Sequence, residues 1–124
     1  MDPIANMITT IKNGYMAKKE TVTVPYSKFR QEVAKALESG GYIGKVQKNE
    51  LKLSISLIYR ENKSRINEIK RVSKSGLRVY TKSKKIASLK GGRGTYIIST
   101  PYGVMTSENA KKKNLGGEVI CLVW

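Results

Sequence analysis

Apolar residues recur along the chain with two periods, and the changes between them mark out most of its elements. Ile4, Met7, Ile8, Ile11 and Tyr15 fall at i, i+3, i+4, i+7 and i+11, one stripe of a helix. Asp2-Pro3 opens that helix, since Asp caps and Pro suits the first helical position. Lys12 and Asn13 fall off the stripe, and Lys18-Lys19 place positive charge at the helix's negative pole. Thr21 to Val24 predicts a short strand stopped by Pro25. Ser27 caps a second helix with Phe29, Val33, Ala36 and Leu37 as its buried face, ended by Gly40-Gly41. Two strands follow, 42–46 and 51–57, joined by the polar turn Gln47-Lys48-Asn49. In the second, Leu51, Leu53, Ile55 and Leu57 alternate with Lys52, Ser54 and Ser56, the period of a sheet with one face buried. Arg60 to Ser64 reads as a polar loop, and Ile66, Ile69 and Val72 fit either a helix or a strand with a bulge, of which the strand is the better reading.

Ser73-Lys74-Ser75-Gly76 is small and polar, and the pattern changes after it. Leu77 to Tyr80 predicts a strand, and Thr81-Lys82-Ser83-Lys84-Lys85 a basic, solvated loop. Residues 95–99 predict a strand, Thr100-Pro101-Tyr102-Gly103 a type I turn, and Val104-Met105-Thr106 the next strand. Ser107-Glu108 starts a short helix, with the hydroxyl as cap, that Lys111-Lys112-Lys113 closes. Gly116-Gly117 turns the chain into a last strand, 118–123. The fold class expected is α+β in two small domains. Residues 1–74 would form an α/β unit with two helices on a sheet, and residues 75–124 a mainly β unit with one short helix.

Charge adds a direction to this outline. The 124 residues carry a net charge of +15, and it is uneven: +4 over residues 1–62 and +11 over residues 63–124. A field of that size attracts phosphate backbones, with a basic enzyme as the plainer alternative. Chemistry is sparse. There is no His, which removes the commonest general base and metal ligand. The single Cys121 lies in an apolar run and reads as a packed, inert thiol. No cofactor or metal is expected, and catalysis finds no nucleophile with a base beside it. No run reaches the ~18 apolar residues of a membrane span, so no membrane partner is expected. The start resembles no export or transit signal, and a reducing compartment is expected.

Within the basic half, glycines and hydroxyls stand at tight turns. Gly91-Gly92-Arg93-Gly94 resembles a phosphate cradle loosely, but lacks the following Lys-Ser/Thr and helix, and a plain turn is the better reading. Ser99 and Thr100 flank a Pro–Gly turn. Their hydroxyls either make that turn or meet ribose and base edges in the shallow groove of A-form RNA, and composition leaves both open. Lys112 and Lys113 fit phosphate contacts, and Asn114 either caps the short helix or faces RNA. Glu118 would repel a phosphate unless donors occupy it; the expected donors are the Ser99–Thr100 hydroxyls. Tyr80 and Tyr102 are the aromatic residues best placed to stack on bases.

Four ordered blocks carry a resemblance: Asp2-Pro3-Ile4-Ala5-Asn6-Met7, Gly76-Leu77-Arg78-Val79-Tyr80, Ser99-Thr100 to Thr106, and Gly116-Gly117-Glu118. Together they resemble the family of the eighth protein of the ribosomal small subunit, found in bacteria and organelles, over nearly the whole chain. The resemblance implies an α/β amino-terminal domain packed on a mainly β carboxy-terminal one. It implies binding to the central domain of small-subunit ribosomal RNA, early assembly of the platform, and neighbouring small-subunit proteins as partners. Some members also bind their own messenger RNA. A place in the cytoplasmic ribosome is implied, or equally in an organellar one. Carried over by position, the RNA-binding residues are Ser99, Thr100, Gly103, Asn114, Gly116, Gly117 and Glu118, with Tyr80 nearby and Lys12 and Asn13 as a secondary contact. Two positions depart from the pattern. Pro101 stands where another Ser is usual, and Ser75 where Pro is common before Gly76. The alternative class is an architectural protein that binds any duplex by charge; an RNA-modifying enzyme is a distant third.

Overall fold

The structure is a computed structural model, described for residues 2–88 and 94–124. Helix α1 (Pro3–Met16) starts where expected: the Asp2 carboxylate accepts from the Ile4 and Ala5 amides. Ile4, Met7, Ile8, Ile11 and Tyr15 are all buried. Strand β1 (Thr21–Pro25) leads to helix α2 (Lys28–Ser39), capped by Ser27 through the Arg30 amide. Val33, Ala34, Ala36 and Leu37 form its buried face. Phe29 sits in its first turn and stays 36% exposed, so Ala34 completes the face instead.

Strands β2 (Val46–Asn49) and β3 (Lys52–Ser56) pair in an antiparallel hairpin, and β1 adds to β3 on the other side. The turn falls on Glu50-Leu51, later than the polar run suggested, with Glu50 at φ +56°. Leu51 therefore leaves the buried alternation and stands 82% exposed, while Leu53, Ile55 and Leu57 remain inside. Residues 59–64 form a small hairpin, β4 (Tyr59–Arg60) on β5 (Lys63–Ser64), where a loop was expected. Glu61 and Asn62 both take positive φ, the turn geometry whose twist suits a two-residue hairpin.

The second sheet has the order β6 (Ile69–Arg71), β10 (Gly117–Val123), β8 (Thr95–Thr100), β9 (Gly103–Thr106), with β7 (Tyr80–Thr81) also on β10. It thus takes a strand from before the Ser73–Gly76 segment. Leu77 is 66% exposed and lies in a tight turn bridged to Lys74, with Gly76 at φ +85°; the strand begins at Tyr80. Residues 83–88 form a 3-10 helix (Ser83–Ser88) in place of the expected loop. Helix α3 (Ser107–Lys112) is capped by Thr106, which accepts from the Asn109 amide; Ser107 instead accepts from the Tyr96 amide. Gly91, Gly92 and Arg93 lie outside the described residues.

One apolar cluster spans both sheets, from Ile4 and Leu37 to Ile97, Ile120 and Val123. Fully burying each such side chain stabilises by about 1.5–3 kcal/mol. A polar chain runs through it. The Tyr15 hydroxyl accepts from the Ile58 amide (3.1 Å) and donates to the Tyr42 carbonyl (2.9 Å). The Tyr42 hydroxyl meets Thr95 Oγ1 at 2.8 Å, and Thr95 donates to Glu108 at 3.2 Å. Cys121 is fully buried and burial pushes its thiol up to about 12, so it is inert at neutral pH. Across the amino terminus, Arg71 Nε donates to Asp2 Oδ2 at 2.9 Å. Burial pushes the Asp2 carboxyl up, but the bonds from Arg71 and from the Ala5 and Ile4 amides outweigh it and leave it below the usual range.

Two outcomes are expected. Tyr15→Phe leaves the partly buried Ile58 N–H unpaired and removes the donor to the buried Tyr42 carbonyl, so urea unfolding should register a loss of about 1–3 kcal/mol. The Asp2 carboxyl has a folded pKa below its unfolded value. Its contribution is therefore complete above the ordinary carboxylate range and is lost as pH falls through the folded pKa. Between about pH 6 and about pH 3, Asp2→Asn should lose less of its urea midpoint than the parent chain does.

Candidate nucleic-acid interface

Glycine makes this site possible. A Cβ on Gly117 would stand 1.9 Å from the Ser99 carbonyl oxygen, and one on Gly116 2.4 Å from the Thr81 carbonyl oxygen. Both positions need hydrogen alone on the α-carbon, because strand backbones close in on β10 from either side. The pairing then sets a row. Tyr80, Glu118, Ser99 and Val104 stand directly opposite one another across β7, β10, β8 and β9. Directly opposite residues of antiparallel strands share a face. Tyr80 is 69% exposed at one end of the row, and Ser99 is partly exposed beside Glu118. Among the described residues no partner takes the Ser99 hydroxyl.

Thr100 behaves differently. Its hydroxyl donates to the Gly103 carbonyl (2.7 Å) and accepts from the Tyr102 amide (3.1 Å). The side chain is buried, so of the two readings left open for this hydroxyl its contacts are those of the turn. Gly103 closes that turn at φ +123°, a backbone that disfavours any other residue. Tyr102 projects from it, 82% exposed.

Glu118 departs from its expected role. Its carboxylate accepts from the Ser73 hydroxyl and from Arg78 Nη1 (3.0 Å), and does not hold the Ser99–Thr100 hydroxyls. In antiparallel pairing the donors nearest a side chain can come from outside the ladder, and here the Lys74–Leu77 turn delivers them. Ser73 is fully buried and also accepts from the Val79 amide at 3.1 Å. In the sequence Ser73 reads as part of a small polar segment and Arg78 as part of the Gly76–Tyr80 block, neither with a binding role; their signal for one is only a small hydroxyl and a cation flanking a turn. Arg78 offsets the one carboxylate of the row.

Asn114 takes φ +55° just past α3, while the Leu115 amide reaches back to the Ala110 carbonyl (2.9 Å), an end geometry that Asn tolerates. Its side chain is exposed, as are Lys111, Lys112 and Lys113. Lys12 and Asn13 stand apart. Lys12 pairs with Glu68 at 2.8 Å, and the Lys12 and Ile69 hydrogen bonds hold the Glu68 carboxyl below its usual range. Glu68 bonds the Trp124 backbone, at the far end of β10 from Gly117. A seven-residue strand separates the two ends, roughly 20 Å at ~3.3 Å per residue. Asn13 lines an open groove with Thr10, Thr21 and Thr23. No group of three or more His, Cys, Asp or Glu among the described residues is arranged to hold a metal.

The family model described as ribosomal protein S8 matches residues 2–124. This chain belongs to the ribosomal protein S8 family. Small ribosomal subunit protein uS8 of Pseudomonas fluorescens is 46% identical over 126 residues, covering 99% of this chain and 97% of that protein. The uS8 proteins of Caldanaerobacter subterraneus and Ruthia magnifica are 46% and 42% identical, each covering 99% of this chain and 97% of theirs. The S8 family assignment agrees with the resemblance read from the four sequence blocks. It makes the chain a ribosomal protein and not an enzyme.

Gly117→Ala should force β8 and β10 apart. The expected result is a loss of about 3 kcal/mol or more in denaturant unfolding, or failure to accumulate folded protein.

Proposed function

We propose that the chain binds small-subunit ribosomal RNA directly, in its central domain, and helps to organise the platform there for later proteins. The Ser99 hydroxyl carries this reading: it stands without a partner among the described residues, in a row with exposed Tyr80, on a chain of net charge +15. A short hydroxyl that both donates and accepts suits ribose and base edges in the shallow groove of an RNA helix. Gly116 and Gly117 let the strands lie close enough to form that surface, and Thr100 and Gly103 shape the turn beside it. Glu118, neutralised by Arg78, orients the approach instead of repelling phosphate. Lys112, Lys113 and Asn114 supply contacts to the backbone, which add affinity without sequence information. Tyr80 offers a stacking face.

In this reading residues 75–124 form the RNA-binding domain, with β6 completing its sheet, and residues 1–74 the amino-terminal domain that faces neighbouring small-subunit proteins. Lys12 and Asn13 give a secondary contact distant from the main one. A messenger RNA that folds into the same shape would be a second ligand of the same face. The setting is the ribosome of the cytoplasm, or of an organelle. The exposed lysines favour one other reading, charge-driven binding to any duplex.

Binding to a central-domain RNA fragment and to a DNA duplex of equal length, across a salt series, separates the two. RNA preference that persists as salt rises is expected; equal affinities collapsing together would support charge alone. Ser99→Ala should lower RNA affinity by ~1–3 kcal/mol with the salt slope almost unchanged. Lys112→Ala should flatten the slope by about one unit and weaken all RNAs alike.

A further inference from the structure

We infer that Lys82 and Lys84, at the head of the 3-10 helix, form a second phosphate-gripping edge that continues the α3 lysines along one ridge beside the Ser99 row. The inference rests on the RNA-binding reading above and extends it to residues outside the family-derived set.

Three observations carry it. First, the 3-10 helix is anchored to the site. The Lys82 α-carbon lies 2.9 Å, and the Ser83 nitrogen 3.1 Å, from where a Cβ on Gly116 would stand. The absence of that Cβ lets the segment sit directly against β10, one residue from Gly117. Second, the segment is packed rather than a solvated run. Ile86 is buried in a small cluster with Ile98 and Ala110, which ties the 3-10 helix to α3. In a 3-10 helix residues three apart eclipse, so partly buried Ser83 and buried Ile86 share the inner side. Lys84 is left outward, and Lys82 is exposed as well. On α3 the same logic buries Ser107 and Ala110 and exposes Lys111 and Lys112.

Third, the ridge is almost purely cationic. Over the Lys82–Ile86 segment and Ser107–Lys113 the only acid is Glu108, and Thr95 already donates to it. No ion pair forms with Lys82, Lys84, Lys111, Lys112 or Lys113 among the described residues. Like charges held side by side by packed elements repel one another and gain most from a polyanion that neutralises them all. A nucleic-acid backbone running past the Ser99 row provides such a chain of phosphates.

The test measures binding of the intact protein to the central-domain RNA fragment and to a DNA duplex over a salt series. Lys82→Ala/Lys84→Ala should make the salt slope shallower by roughly 1.5–2 units and weaken RNA binding at low salt by about tenfold or more, with RNA preference retained. Lys82→Arg/Lys84→Arg should keep slope and affinity, which separates charge from folding. Lys48→Ala, on the other sheet, should leave the slope unchanged. An unchanged slope in the Ala double variant, or an equal loss from Lys48→Ala, would overturn the inference. In that case the Ser99 reading survives if RNA preference and its loss in Ser99→Ala persist. A parent protein with no preference for RNA over DNA would remove both.

Discussion

Two missing side chains let the second sheet close around the Ser99 row. Where Gly116 and Gly117 enter β10, the backbones of residues 81–83 on one side and of Ser99 on the other come closer than any Cβ would permit. Everything distinctive about the surface follows from that contact. It puts Tyr80, Glu118 and Ser99 in one row, seats the 3-10 helix against the strand, and sets the start of β10 in register with both neighbours. The register shifts by a bulge between Val119 and Cys121, so the tight pairing at the row is decoupled from the buried stretch beyond it. A protein that bound only by charge would need none of this geometry.

The other half of the chain supports the row from behind. The chain of hydroxyls from Tyr15 through Tyr42 and Thr95 to Glu108 links α1, the segment after α2, β8 and α3. Arg71 on β6 ties to Asp2 at the start of α1 and to the Ile120 carbonyl on β10 at 2.7 Å. Such bonds add little net energy when satisfied, but each leaves a costly orphan if a partner moves. The two sheets are therefore tied as well as packed, and the face that carries the Ser99 row is held in one arrangement from behind. Preorganisation of this kind lowers the entropy lost on binding.

Where periodicity was strong the sequence was a good guide. The stripe from Ile4 to Tyr15, the alternation from Leu53 to Leu57 and the last apolar strand all lie as read, because burial enforces those periods. Apolar residues next to turns misled, as Leu51 and Leu77 show by standing exposed, and elsewhere the misses share a cause: polar residues do not reveal who their partners are. Glu61 and Asn62 make a hairpin turn through backbone angles that a charged run conceals. The segment around Ser83 read as a loop because what holds it lies far along the chain: Ile86 buries against Ala110 and Ile98, and its backbone closes on Gly116, while its lysines stay exposed as expected. Ser73 reads as linker, yet it is fully buried under Glu118. The site glycines were visible as a motif, whereas the close approach that requires them belongs to tertiary pairing alone.

Strand β10 lies downstream in the sequence of every strand it joins, yet it sits between them: β6 and β7 on one edge, β8 on the other. During synthesis β6 and β7 must wait without a partner, and the β8–β9 hairpin must wait with one open edge, until the final strand leaves the exit tunnel. The first sheet, whose strands β1, β2 and β3 all come early, is free to close sooner. Vectorial synthesis thus imposes a timetable in which the second sheet closes after the first, and an unfilled slot beside β8 is the stage most exposed to wrong strand pairing.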